Sequence, residues 1–165
     1  NSRMIQNCVL VWLGGHATHI KNAASEFNMQ QDIAAARVVF TSAAEVVQLP
    51  CLGVVNTFST TKQELEYWLK GKNSLCDYLC ENTVKEAESY AAGKPWSRVI
   101  WDVTAVAYLM NDGERKFMHS RRQKTKLPGY DFQYCEEIDK EMEYVFYVSR
   151  DVLFEDLFNK LTEEK

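Results

Sequence analysis

The feature that most limits the fold is a continuous apolar run, Cys8-Val9-Leu10-Val11-Trp12-Leu13, closed by Gly14-Gly15. A run without polar alternation fits a strand buried on both faces, the kind that lies inside a parallel sheet. A helix follows. Asp32 stands where an N-cap is needed, and Ile33, Ala36, Val39 and Phe40 recur at helical spacing. Val46-Val47-Gln48-Leu49-Pro50 then reads as a second short strand. Strand, helix and strand in that order predict a parallel crossover.

Further along, Thr60 with Gln63 and Thr61 with Glu64 form two overlapping capping boxes. They start a helix expected to reach about Leu69 and to stop at Gly71. Another helix is expected over 74–92, with Leu75, Tyr78 and Leu79 facing inward and Gly93-Lys94-Pro95 closing it. Arg98-Val99-Ile100-Trp101 reads as a short strand turning directly into a helix over 103–110, ended by Asn111-Asp112-Gly113. Residues 114–134 are polar and basic and are read as irregular. A late strand over 143–148 and a closing helix over 151–161 complete the chain, the helix burying Leu153, Phe154, Leu157, Phe158 and Leu161. There is no internal repeat or low-complexity linker, so the pattern is one α/β unit.

Composition excludes several function classes. Hydrophobic residues at 46% and charged residues at 25% describe a globular chain rather than a disordered one. A net charge of −4 argues against a general phosphate-backbone binder. The basic stripe Arg115, Lys116, Arg121, Arg122, Lys124 and Lys126 is therefore read as a solvated loop or subunit contact, not a nucleic-acid surface. No apolar run approaches the roughly 20 residues that span a bilayer, so no membrane partner is expected. Asn1-Ser2-Arg3 leads into a strand rather than a signal peptide. The first residue is not Met, which points to cleavage, processing, design or the tail of a longer chain.

The five cysteines have no secreted framework, so a reducing, cytoplasmic setting is expected. Cys8 and Cys51 lie in apolar runs and read as core. Cys76 and Cys80 share a helix face, where packing is favoured over zinc. His16 and His19 form an H-x-x-H without an evident third ligand, and His119 reads as a surface histidine.

Two places carry chemistry. In Ser25-Glu26-Phe27-Asn28, an extended backbone would point Glu26 and Asn28 to one side and Phe27 to the other. A carboxylate beside an amide can engage vicinal sugar hydroxyls, while the alternative is a loop that meets solvent or caps the next helix. Asp102 stands at a strand's carboxyl end, where open α/β sheets place ligands, and it is equally placed to cap the following helix. Trp12, Trp68, Trp96 and Trp101 are core candidates, with Trp96 and Trp101 placed to line a pocket instead.

Taken in order, Val11-Trp12-Leu13-Gly14-Gly15, Ser25-Glu26-Phe27-Asn28, Asp32-Ile33-Ala34-Ala35-Ala36, Val46-Val47-Gln48-Leu49-Pro50-Cys51, Trp101-Asp102-Val103-Thr104-Ala105-Val106-Ala107 and Arg150-Asp151-Val152-Leu153-Phe154 resemble the inosine–uridine-preferring nucleoside hydrolases. The resemblance implies a Rossmann-like α/β fold with mostly parallel strands flanked by helices. It also implies that residues 1–165 are the C-terminal part of a single nucleoside hydrolase domain. Members open with an Asp-rich D-x-D-x-x-x-D-D motif that holds calcium, and this sequence has none.

The implied reaction is hydrolysis of a ribonucleoside N-glycosidic bond to ribose and free base, through an oxocarbenium-like transition state. By position, Glu26, Asn28 and Asn22 resemble ribose binders, Asp102 a calcium ligand and Trp101 a base-pocket residue. Many relatives carry His where Trp101 stands, and an indole is no general acid near neutral pH. The implied partners are a nucleoside substrate, the missing N-terminal half and, in the intact enzyme, further copies in a homo-oligomer. Only one matching calcium carboxylate is present, so the chain alone is expected to be inactive. The alternative is a ribosyl-binding or subunit-interaction remnant without chemistry.

Overall fold

The computed structural model describes residues 2–21 and 25–163, with the side chains of residues 2 and 3 outside the description. After a short helix α1 (Ser2–Ile5) come β1 (Val9–Leu13), α2 (Phe27–Gln31), α3 (Ile33–Thr41) and β2 (Glu45–Leu49). A 3-10 turn (Val55–Thr57) leads to β3 (Ser59–Thr60), α4 (Lys62–Leu69), α5 (Ser74–Ala91), β4 (Arg98–Val99) and α6 (Val103–Leu109). The long strands β5 (Met118–Pro128) and β6 (Tyr134–Val148) and helix α7 (Arg150–Thr162) follow.

The main sheet runs β1-β2-β6-β5. β1 pairs parallel with β2, β2 pairs parallel with β6, and β5 is antiparallel to β6. The expected crossover is therefore present, but of its two strands the one flanked on both sides is β2, not β1. Val46 faces a cluster with Phe40, Leu127 and Met142, while Val47 and Leu49 face the larger core. β1 has a neighbour on one side only, so Val9 is 57% and Leu10 39% exposed. Cys8 is exposed for the same reason, against the core reading, whereas Cys51, Cys76 and Cys80 are buried.

Two other expectations are corrected. In α5 the buried stripe is Cys76, Cys80 and Ala87, with Leu79 and Val84 partly covered, and Leu75 and Tyr78 point outward. Asn73 Nδ2 and Cys76 Sγ both donate to the Leu161 carbonyl of α7, and that anchorage turns the Cys76 face of α5 to the core. The basic segment is a strand rather than an irregular loop. In the β5–β6 ladder Arg122 lies opposite Glu143, Lys124 opposite Glu141 and Lys126 opposite Glu137. Cross-strand pairing of opposite charges supports the hairpin and neutralises the stripe locally.

β4 pairs with β3 in a separate two-stranded ribbon. Asp102 is thus not carried by a strand of the main sheet. It reaches the sheet because α6 packs against β1.

The lower core is fixed by aromatics and one ion pair. Phe58 stacks on Phe154 at 4.1 Å between ring centroids, and Phe154 on Phe158 at 5.2 Å. Of the two capping boxes, Thr61 with Glu64 forms, and Thr60 joins β3 instead. Both Glu64 oxygens then accept from Arg150 Nη2 at 2.7 Å, and Arg150 Nε donates to the Ser59 carbonyl at 2.9 Å. Burial opposes the charge on Glu64, but Arg150 and the Thr60 and Thr61 donors outweigh it and hold its carboxyl below the ordinary value.

A lowered folded pKa adds stability above the ordinary glutamate value of about 4.3, and that stability is lost as pH falls through the folded value. Glu64→Gln should flatten this acid limb in urea melts taken across the interval. Arg150→Ala should cost about 1–3 kcal/mol at neutral pH, since it removes charged hydrogen bonds joining α7, β3 and α4. A loss within the scatter of surface substitutions would mean that the pair is incidental.

Candidate functional site

β1 ends in the Gly14-Gly15 turn, and the turn is held by a buried polar network. Gln48, the one polar residue of β2 that is fully buried, donates from Nε2 to the Gly14 carbonyl at 3.0 Å and to the Tyr134 hydroxyl at 2.8 Å. The Tyr134 hydroxyl donates in turn to the His16 carbonyl at 3.0 Å. Burial holds that hydroxyl protonated, well above its ordinary value. Gly15 sits at φ +69, and a Cβ there would lie 2.5 Å from the Tyr134 hydroxyl oxygen, so glycine is required twice over.

Glu26 closes the turn from the other side. It is 5% exposed and caps α2, accepting from the Asn28 N–H at Oε1 (2.9 Å) and from the Met29 N–H at Oε2 (2.9 Å). Oε2 also accepts from the Gly15 N–H at 2.8 Å. The segment is therefore a helix start and not the extended strand expected, because three backbone donors converge on one carboxylate. Oε2 carries two of these bonds and Oε1 one, with the Cys51 thiol also set against the carboxylate. Asn28 donates from Nδ2 to the Leu13 carbonyl at 3.0 Å, and its Oδ1 accepts no hydrogen bond among the described residues.

A cavity of about 480 Å³ opens here. Leu13, His16, Glu26, Phe27, Asn28, Cys51, Leu52, Trp101 and Asp102 line it. Sequence reasoning named Glu26, Asn28, Trp101 and Asp102 separately, and the fold gathers them in one place. Phe27 lines the same cavity rather than the opposite side. Trp96 is half-buried and does not line it. Asn22 lies outside the described residues.

Asp102 occupies the N-cap position of α6 with helical backbone angles, yet its side chain makes no capping hydrogen bond. Thr104 Oγ1 bonds the Trp101 carbonyl at 2.6 Å instead. Asp102 is exposed, and no described residue forms an ion pair with it. Its carboxylate is free for a ligand.

Sequence reasoning missed Cys51 and His16 as parts of this cavity, and Gln48 and Tyr134 as its supports. Gln48 left a signal, a polar side chain inside an apolar strand. Tyr134 left none, since its partners are 86 and 118 residues away. The Cys51 thiol is pushed far up by burial and then by the Glu26 and Asp102 carboxylates, so it remains a protonated, inert sulfur.

Calcium takes about six to eight oxygen ligands. Among the described residues no cluster of three His, Cys, Asp or Glu side chains could hold a metal ion. With Asp102 free and Glu26 bound to backbone N–H groups, the donors here do not make a calcium cage by themselves.

The two carboxylates should separate by denaturation. Glu26→Gln turns an amide donor or a weaker acceptor toward three N–H groups and should cost about 1–3 kcal/mol. Asp102→Asn should stay within about 0.5 kcal/mol of the parent. Equal losses in thermal or urea melts would contradict the division between a structural and a free carboxylate.

Comparisons with known proteins agree with this architecture. The family model for inosine-uridine preferring nucleoside hydrolase matches residues 4–144. A solved structure of an inosine-uridine preferring nucleoside hydrolase from Bacillus anthracis superposes with a TM-score of 0.67 at 23% identity. The match covers 97% of this chain and 53% of that one, so this chain spans about half the length of its structural relative. No curated protein matches it.

Proposed function

Because this chain belongs to the inosine-uridine preferring nucleoside hydrolase family, we propose that it supplies part of a site hydrolysing the N-glycosidic bond of a ribonucleoside. The products are ribose and the free base. The observation that carries this reading is the 480 Å³ cavity, which joins an unbonded amide oxygen, an unbonded carboxylate and an indole from segments far apart in sequence.

In this reading Asn28 Oδ1 accepts from a ribose hydroxyl, and Glu26 Oε1, which carries a single backbone bond, accepts from a second. Glu26 also acts as a positioning residue, since its three backbone bonds fix where Asn28 stands. Trp101 offers a flat apolar face to the base. Holding the sugar and base in one orientation is what this chain's residues contribute to bond cleavage. Asp102 is the carboxylate this chain would add to a calcium ion, with the other ligands supplied from outside the described donor set.

The sheet supports a partner for this site. Beside the exposed Val9 and Leu10, a groove of about 560 Å³ is lined by Leu10, Trp12, Ala35, Val39, Asp102 and Ala105. β1 has no strand on its outer edge among the described residues. An unpaired parallel edge with apolar residues is a template for another strand. We place there an Asp-rich segment corresponding to the half of the structural relative that has no counterpart here. Its strand would run parallel to β1 and end near Asp102.

A second reading, a ribosyl-binding remnant without chemistry, is favoured by the lack of a metal cluster among the described residues. The two readings differ on reconstitution. Alone, the chain should neither bind calcium tightly in calorimetry nor hydrolyse inosine or uridine. Supplied with an N-terminal segment carrying D-x-D-x-x-x-D-D, it should gain calcium-dependent hydrolysis, and Asp102→Asn in that complex should lower it by at least about tenfold. Hydrolysis by the chain alone would overturn the need for a partner. No hydrolysis by a well-folded complex would favour the remnant.

A further inference from the structure

Trp101 has no acid to offer, and the structure places a histidine in the same cavity. His16 is half-buried and lines the same cavity as Asn28, Trp101 and Asp102. Its Nδ1 lies 3.3 Å from the Leu52 backbone nitrogen, which donates to it. A backbone N–H can only donate, so Nδ1 is the bare nitrogen and the ring proton is on Nε2. Nε2 makes no hydrogen bond among the described residues, and it is the polar atom the ring has left to offer.

The backbone that carries the ring is also held in place. The His16 carbonyl accepts from Tyr134. On either side, Cys51 N–H donates to the Gly15 carbonyl at 2.8 Å and Ala17 N–H to the Leu52 carbonyl at 2.9 Å. These bonds zip the loop after β1 to the loop after β2, and the Leu52 N–H on Nδ1 orients the ring that this backbone presents. A neutral imidazole fixed in one tautomer is a known means of polarising a bound group without transferring its proton.

On the nucleoside reading above, we propose that His16 donates from Nε2–H to an acceptor atom on the nucleobase and stabilises the base as it departs. The C1′–N bond breaks with its electron pair passing to the base nitrogen. Water adds its hydroxyl to C1′, and the proton released from that water ends on the base by way of solvent. His16 keeps its own proton throughout. Its contribution is the hydrogen bond, which strengthens as negative charge grows on the base. The site therefore selects for a ring bearing an acceptor, whether purine or pyrimidine, over a bare riboside.

The test needs no turnover and uses this chain as it is. Proton–nitrogen correlation spectra of the histidine side chains report the tautomer of His16. The chain is then titrated with inosine, uridine and methyl β-ribofuranoside while the Asn28 side-chain amide is followed. The expected result is an Nε2–H tautomer, with Asn28 signals moved by all three ligands and His16 Nε2 moved by the nucleosides only. His16→Ala should weaken inosine binding roughly fivefold and leave the riboside unchanged. His16→Gln, which keeps a donor of similar reach, should recover part of that loss.

An Nδ1–H tautomer, or a His16 signal that ignores inosine while Asn28 responds, overturns the role of His16 and leaves the nucleoside reading standing. If no ligand moves Asn28 either in the chain alone or in the complex with the D-x-D-x-x-x-D-D segment, the nucleoside reading itself fails and the role of His16 falls with it. A uniform loss of riboside and inosine binding in His16→Ala would show a structural residue only.

Discussion

One buried carboxylate organises the working end of this molecule. Glu26 accepts from Gly15, Asn28 and Met29, so it ends the β1 turn and begins α2 with the same two oxygens. Asn28 owes its position to that cap, and the cavity owes its wall to Asn28. Gln48 and Tyr134 hold the other side of the turn. Polar groups this deep are tolerable because nearly all are paired, and the pairing fixes one backbone path where an apolar core would permit several.

The sheet shows two ways of treating an edge. β5 lies at one end and carries Arg121, Arg122, Lys124 and Lys126, charges that discourage another strand from pairing. β1 lies at the other end with Val9 and Leu10 exposed and no such protection. This unguarded edge lies beside the groove that reaches Asp102, and the solved relative is matched over 53% of its own length. In the same hairpin Arg122, Lys124 and Lys126 lie opposite Glu143, Glu141 and Glu137 of β6.

Much of the fold was legible because its signals are local. The apolar run and Gly14-Gly15 gave β1, the Asp32 cap gave α3, and the Thr61–Glu64 box gave α4. Misreadings arose where a neighbour decided the outcome. Nothing in Leu75 or Tyr78 says that Cys76 and Cys80 will take the core side. Nothing in the polar residues 118–128 says that an acidic strand will lie beside them. For the site, Glu26, Asn28, Trp101 and Asp102 were identifiable by order and residue type, whereas His16 was visible only as half of an unconvincing H-x-x-H.

By itself the sequence determined the α/β class, the family and four residues of the cavity, Glu26, Asn28, Trp101 and Asp102, since periodicity, caps and motif order are written in short stretches of chain. Tertiary structure decided what those residues are free to do. It bound Glu26 to three amides, left Asp102 without a cap, and turned Nδ1 of His16 toward Leu52. A side chain's remaining hydrogen-bonding capacity depends on which backbone groups from distant segments reach it first, and only the folded chain brings those groups together.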